Sequence, residues 1–142
     1  MGVLKNDQGV SAIEFAIISP VLITILLGIF QFGSVMNAYL VLTNAAAKGA
    51  LTMALGRGTA TPYTTTISAI TAAAPNLTPA SITTTVTING TACSTDAACT
   101  TALVAGVSAV VKTTYPCNLT VMGINYAPNG CTLKAQTAQM VQ

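Results

Sequence analysis

The chain has 142 residues, no histidine and no tryptophan, and only 6% of it is charged. Soluble domains average about 25% charged residues. Without histidine there is no Ser-His-Asp triad and no imidazole metal site. The only acids are Asp7, Glu14 and Asp96. They lie far apart in sequence, whereas a glycosidase pair, an aspartic dyad or a calcium cage needs acids that converge. Ser and Thr are plentiful, but no general base accompanies them. Five Lys and Arg leave a net charge of +2, too sparse to neutralise a run of phosphates, so nucleic acid is not an expected partner. The composition therefore predicts a non-enzyme that needs no cofactor and no metal.

What the chain has instead is apolar surface: 52% of its residues are hydrophobic and its mean hydropathy is +0.69. Residues 16–35 read AIISPVLITILLGIFQFGSV, without a charge. About 20 helical residues cross the roughly 30 Å hydrocarbon layer. A cleaved secretory signal has a shorter apolar core, about 7–15 residues, and the small-x-small pair Ala45/Ala47 lies well beyond this run. MGVLKN lacks the Ser or Thr of a myristoylation signal. The segment reads as a membrane helix that stays attached, with lipid as its surroundings.

The helical pattern continues past the membrane edge. No proline occurs from Gln31 to Met53, and Asn37, Asn44, Lys48 and Thr52 recur on one stripe. The other faces carry Phe32, Tyr39, Leu42, Ala46, Ala50 and Met53, and Gly56 and Gly58 around Arg57 mark a stop. A helix from about 10 to about 55 is near 70 Å long, so its distal half projects and packs on something. Ala45, Ala46, Ala47, Gly49 and Ala50 are small enough for close approach to another element. Ala is also simply a good helix former, and composition does not separate the two readings.

Lys5 on one side of the span and Lys48 and Arg57 on the other leave the positive-inside count undecided. Cys93, Cys99, Cys117 and Cys131 all follow the helix, and an even count in a small polar domain points to disulfides and an oxidising compartment. The N-terminus is then inside and the C-terminal domain outside. Four cysteines allow three connectivities, and proximity favours Cys93–Cys99 with Cys117–Cys131. The second closes a loop of about 15 residues, which contributes roughly 3 kcal/mol in the chain-entropy model. A zinc site has C-x₂₋₄-C spacing. These separations are wider, and no Lys or Arg sits beside a cysteine to favour the thiolate.

Past Arg57 the chain turns rich in Thr, Ala, Ser and Asn. Residues 63–74 predict a short helix, broken at Pro75 and Pro79. In residues 82–88, Ile82, Thr84, Val86 and Ile88 alternate with threonines, a half-buried strand that ends at the Asn89-Gly90 turn signal. Residues 91–101 read as a loop pinned by two cysteines. A second strand is expected over 103–115, with Val107, Ala109, Val111 and Thr113 on one face and Pro116 as its end. A long connection follows, with turn signals at Pro128 to Gly130. A third strand is expected over 132–141, with Leu133, Ala135, Thr137 and Val141 facing the core. The expected fold is α+β: a long N-terminal transmembrane helix leading into a small domain with a short helix and a three-stranded antiparallel sheet. The sequons at Asn76, Asn89 and Asn118 are chance matches in so Thr-rich a chain.

Glu14 is the one charge between Asp7 and Lys48. A carboxylate deep in a bilayer costs at least about 2.5–3.5 kcal/mol on insertion scales. Placed at headgroup level on the first helical turn, it snorkels and suits the helix dipole; placed deeper, it needs a cation that the chain does not offer nearby. The surrounding run Gln8-Gly9-Val10-Ser11-Ala12-Ile13-Glu14-Phe15 resembles the processing site of type IV pilin-like proteins, a Gly followed five residues later by Glu and then an aromatic. Its continuation through GIFQFG and Leu42-Thr43-Asn44-Ala45-Ala46-Ala47-Lys48-Gly49-Ala50 resembles the TadE-like family of tight-adherence (Tad/Flp) pilus proteins. The resemblance covers about residues 8–57.

It implies a minor pilin or pseudopilin that serves surface adhesion. Residues 1–9 are then a leader, 10–57 the transmembrane and assembly helix, and 58–142 the periplasmic or extracellular domain. Cleavage falls between Gly9 and Val10, and Glu14 and Phe15 serve processing and assembly. The implied partners are a prepilin peptidase, other pilin and pseudopilin subunits, and the inner-membrane assembly platform. The new α-amino group of Val10, with an ordinary pKa near about 7.7–8, supplies a cation for Glu14 of a neighbouring subunit. A plain single-span membrane protein with an outer interaction domain, unrelated to pili, is the alternative.

Overall fold

The computed structural model describes residues 7–117, 119–121, 123–127 and 130–142. Lys5, Asn118 and Pro128, and the first residues of the expected leader, lie outside these.

One helix dominates. α1 (Asp7–Ala54) has 48 residues and is about 72 Å long at 1.5 Å per residue. Pro20 lies inside it. Proline lacks the N–H that would bond back four residues, and nearby the Thr24 hydroxyl donates to the Pro20 carbonyl at 2.8 Å. The two halves of α1 differ completely in burial. Residues 11–34 are almost all exposed, whereas Leu42, Ala45, Ala46, Ala50 and Met53 are fully buried. Asn37, Asn44 and Lys48 of the polar stripe stay exposed.

The distal half of α1 packs on a second helix and a sheet. α2 (Pro62–Ala73) starts with proline at a position whose N–H would have no partner and buries Thr66 and Ile70. A short 3₁₀ turn at Pro79–Ser81 leads into β1 (Thr83–Ile88) and β2 (Thr91–Cys93). Then come α3 (Asp96–Ala102), β3 (Ser108–Cys117), β4 (Thr120–Val121), β5 (Ile124–Asn125) and β6 (Cys131–Met140). The main sheet is antiparallel, in the order β2-β1-β3-β6, and β4-β5 forms a separate hairpin.

Alternation decides which sheet face meets the helices. Val86 lies opposite Val111 and Ile88 opposite Ala109, while Thr113 lies opposite Ala135. All six are buried beneath the helices. The other face carries Thr83, Thr85, Lys112, Lys134 and Gln136, all exposed. One-sided burial fixes the register, since a one-residue slip would put the threonines into the core. Two hydroxyls that remain in that core, on Thr66 and Thr113, have no hydrogen-bond partner among the described residues.

The helix-plus-sheet plan agrees with the sequence reading, and the sheet is larger by one strand. Residues 91–93 pair with β1 rather than forming a loop, because Asn89 (φ 50°) and Gly90 (φ 80°) make a two-residue turn with both residues left-handed, the twist that continues a hairpin. Residues 96–102 are helical; the Thr95 hydroxyl accepts the Ala98 N–H at 3.3 Å and caps them. Pro116 does not end β3, which runs on to Cys117 and pairs Pro116 with Thr132. The proline is tolerated because β1 pairs no further than Thr114, leaving the other side of β3 open there. The long connection after Cys117 contains β4 and β5.

The stripe of small residues has an intramolecular partner. A Cβ on Gly49 would lie 2.5 Å from Cγ1 and 2.7 Å from Cδ1 of Ile70. Close approach to α2, beyond helix propensity alone, therefore accounts for glycine at this position.

Candidate functional site

The exposed half of α1 is the site the fold leaves open. Ser11–Ala54 is long and apolar enough to cross a membrane, and its most apolar window is not buried by the rest of the protein. Ile13, Phe15, Ile17, Ile18, Ile29 and Phe30 are all more than 60% exposed. A soluble monomer rarely shows contiguous apolar patches beyond a few hundred Å². This surface needs lipid or other apolar chains around it.

Glu14 and Phe15 sit in this half, both exposed. Gly9 and Val10 belong to the first turns of the same helix. The cleavage and assembly residues named from sequence are thus brought onto one helical end, away from the cysteines. Along α1 the next charge after Glu14 is Lys48, 34 residues on and about 51 Å away along the axis. Lys48 cannot neutralise Glu14, and a cation for it must come from the N-terminal end or from another molecule.

The cysteines staple the opposite end. Cys93 is bonded to Cys99, with Cα atoms 5.3 Å apart. Cys117 is bonded to Cys131, with Cα atoms 4.9 Å apart. Cys117 and Cys131 face each other at the ends of β3 and β6, so this bond closes the neck of the segment that carries the β4-β5 hairpin. Among the described residues, no three His, Cys, Asp or Glu side chains gather as a metal site would require.

Asp96 has a structural task that its sequence position does not disclose. Its Oδ1 accepts the Thr64 backbone N–H at 2.9 Å and its Oδ2 accepts the Thr64 hydroxyl at 2.6 Å. Thr64 lies in the first turn of α2, where backbone N–H groups have no intrahelical acceptor. The Thr64 hydroxyl, and then its N–H, hold the Asp96 carboxyl below its ordinary value. The acid of α3 therefore caps α2 across a separation of 32 residues. Only the three-dimensional meeting of α2 and α3 reveals it.

The apolar surface, the isolated carboxylate of Glu14 and the small-residue stripe all lie within one stretch of α1. The family model TadE, described as TadE-like protein, matches residues 9–51. The segment is TadE-like. The match begins at Gly9 and ends inside the buried half of α1, so it takes in both the exposed half and the part that packs on the domain. No curated protein and no solved structure matches the chain.

Proposed function

We propose that the chain is a minor pilin or pseudopilin-like subunit that assembles with Tad (Flp) pili, or supports their biogenesis, for surface adhesion. A prepilin peptidase removes residues 1–9 on the cytoplasmic side, and Val10 becomes the new N-terminus. α1 then holds the subunit in the inner membrane as a single span, with the domain from about residue 58 on the periplasmic side. The two disulfides support that orientation, because such bonds persist in oxidising compartments.

The observation that carries this reading is a TadE-like helix whose residues 11–34 expose apolar side chains around a single acid, Glu14. Extraction from lipid into or beneath a filament leaves such a surface covered by neighbouring helices. In the low-dielectric interior that results, Glu14 needs a partner, since breaking a buried ion pair by removing one member costs about 3–5 kcal/mol. The protonated amino group of Val10 on a neighbouring subunit is that partner. The inner-membrane assembly platform and the other pilin subunits are its binding partners.

Glu14→Ala tests the pairing. The variant is expected to be cleaved normally and to remain membrane-bound, yet to be depleted from sheared pili probed by immunoblot and immunogold labelling. Incorporation equal to wild type would show that the pair is not needed. A wild-type protein never found with pilus components would favour the plain membrane anchor instead.

A further inference from the structure

The β4-β5 hairpin does not stay with its own sheet. It reaches back along α1, and Leu119, Val121 and Tyr126 form one wall of an open cleft whose other wall is Thr24, Gly28, Gln31 and Phe32. These helix residues lie 10 to 18 positions beyond Glu14, or about 15 to 27 Å along the axis. With Glu14 at the cytoplasmic headgroups, that interval covers the outer half of a hydrocarbon layer roughly 30 Å thick. The fold itself holds the hairpin beside this stretch of α1.

Its chemistry suits that position. Residues 118–130 contain no charged side chain. Ile124 and Tyr126 are 59% and 63% exposed, and they extend the apolar surface of the neighbouring helix turns, where Ile29, Phe30 and Phe32 are also exposed. Backbone groups in lipid must find partners within the protein. Here the Tyr126 N–H donates to the Leu119 carbonyl at 2.9 Å, the Ala127 N–H donates to Asn125 Oδ1 at 2.9 Å, and β4 pairs with β5. Tyrosine is enriched at the headgroup boundary, where its ring is apolar and its hydroxyl wet. The Cys117–Cys131 bond at the neck limits how far the hairpin can swing from the helix.

We propose that the β4-β5 hairpin is a second membrane contact: Ile124 and Tyr126 enter the periplasmic leaflet beside α1 and set the height and tilt of the domain above the bilayer. The proposal rests on α1 being the membrane anchor. The occupant of the cleft and of the hairpin's outer side is phospholipid, which the continuity of this surface with the exposed helix favours over a second copy of the chain.

The lack of tryptophan makes the test clean. Single-Trp variants Tyr126→Trp, Ile124→Trp, Ile23→Trp and Thr85→Trp of the full chain are reconstituted in phosphatidylethanolamine/phosphatidylglycerol vesicles. Emission is measured with doxyl-labelled lipid and, separately, with aqueous acrylamide. Tyr126→Trp and Ile124→Trp are expected to lose more emission to doxyl lipid than to acrylamide, as Ile23→Trp in the span does, and Thr85→Trp on the outer sheet face should show the reverse. Hairpin reporters that behave like Thr85→Trp while Ile23→Trp is quenched by lipid overturn the hairpin proposal and leave the anchor standing. If Ile23→Trp also escapes lipid quenching, the anchor reading fails and the proposal fails with it. Hairpin reporters shielded from both quenchers, and released on diluting the protein in the vesicles, place a second copy there and overturn the lipid contact.

Discussion

Gly49→Ala adds one methyl group to the seam between α1 and α2. Its Cβ would lie 2.5 Å from Cγ1 and 2.7 Å from Cδ1 of Ile70, with Val111 Cγ1 at 3.5 Å. Ile70 is 1% exposed, and a β-branched residue in a helix has one strongly preferred χ1 rotamer, so it has little room to turn away. Overpacking of this kind costs about 1–3 kcal/mol. In the same helix, alanine gains about 1 kcal/mol over glycine in intrinsic propensity. The difference is a net loss centred near 1 kcal/mol, which lowers Tm by about 4 °C or more in a domain of roughly 100 residues. Thermal unfolding followed by far-UV circular dichroism in detergent micelles measures it. Ile70→Ala alone should cost about 2–5 kcal/mol. On that background Gly49→Ala should reverse sign and stabilise by about 1 kcal/mol, because only the ordinary contact with Val111 at 3.5 Å remains and the propensity gain is kept. A Tm that rises with Gly49→Ala in the wild-type background would refute the close approach of the two helices and return the alanine-rich stretch to simple helix propensity.

Cys117→Ser with Cys131→Ser should lower stability by roughly 3 kcal/mol as the loop between them is released; an unchanged Tm in the double variant would deny the bond a stabilising part. Asp96 contributes stability with a definite sign. Its folded pKa lies below the unfolded value of 3.8, so the contribution is complete above pH about 4 and fades as pH falls through the folded value. Asp96→Asn should lower Tm at neutral pH and flatten the acid limb of the Tm–pH profile, and parallel profiles for the two proteins would refute the capping role.

The long helix and the three longer strands were legible because each has one periodic signal with one physical cause. Residues 16–35 have the length and apolarity of a span, and Val86, Ile88, Ala109, Val111 and Ala135 alternate because one sheet face is buried. Shorter elements carried less signal. β2 has three residues, yet the Asn89-Gly90 pair ahead of it was itself a hairpin signal and pointed to a partner strand. α3 rests on a single cap at Thr95. Which end of the small-residue stripe met a partner, and that the partner was Ile70, depended on the packing of α1 against α2, as did the meeting of Asp96 with Thr64. The processing and assembly roles proposed for Glu14, Phe15 and the Gly9–Val10 bond come from their order along the chain and the resemblance that order carries. The β4-β5 hairpin beside Thr24 and Phe32 was not, because nothing in an uncharged connection tells where it folds back.

As proposed, α1 is a pilin-type helix that begins at Val10 once its leader has been removed. Intact-mass measurement of the full chain, expressed with and without a Tad prepilin peptidase and extracted from the inner membrane, tests it most directly. A mature species beginning at Val10 is expected only when the peptidase is active, and it should be lost in Gly9→Ala. A chain that still begins at Met1 beside an active peptidase would contradict it.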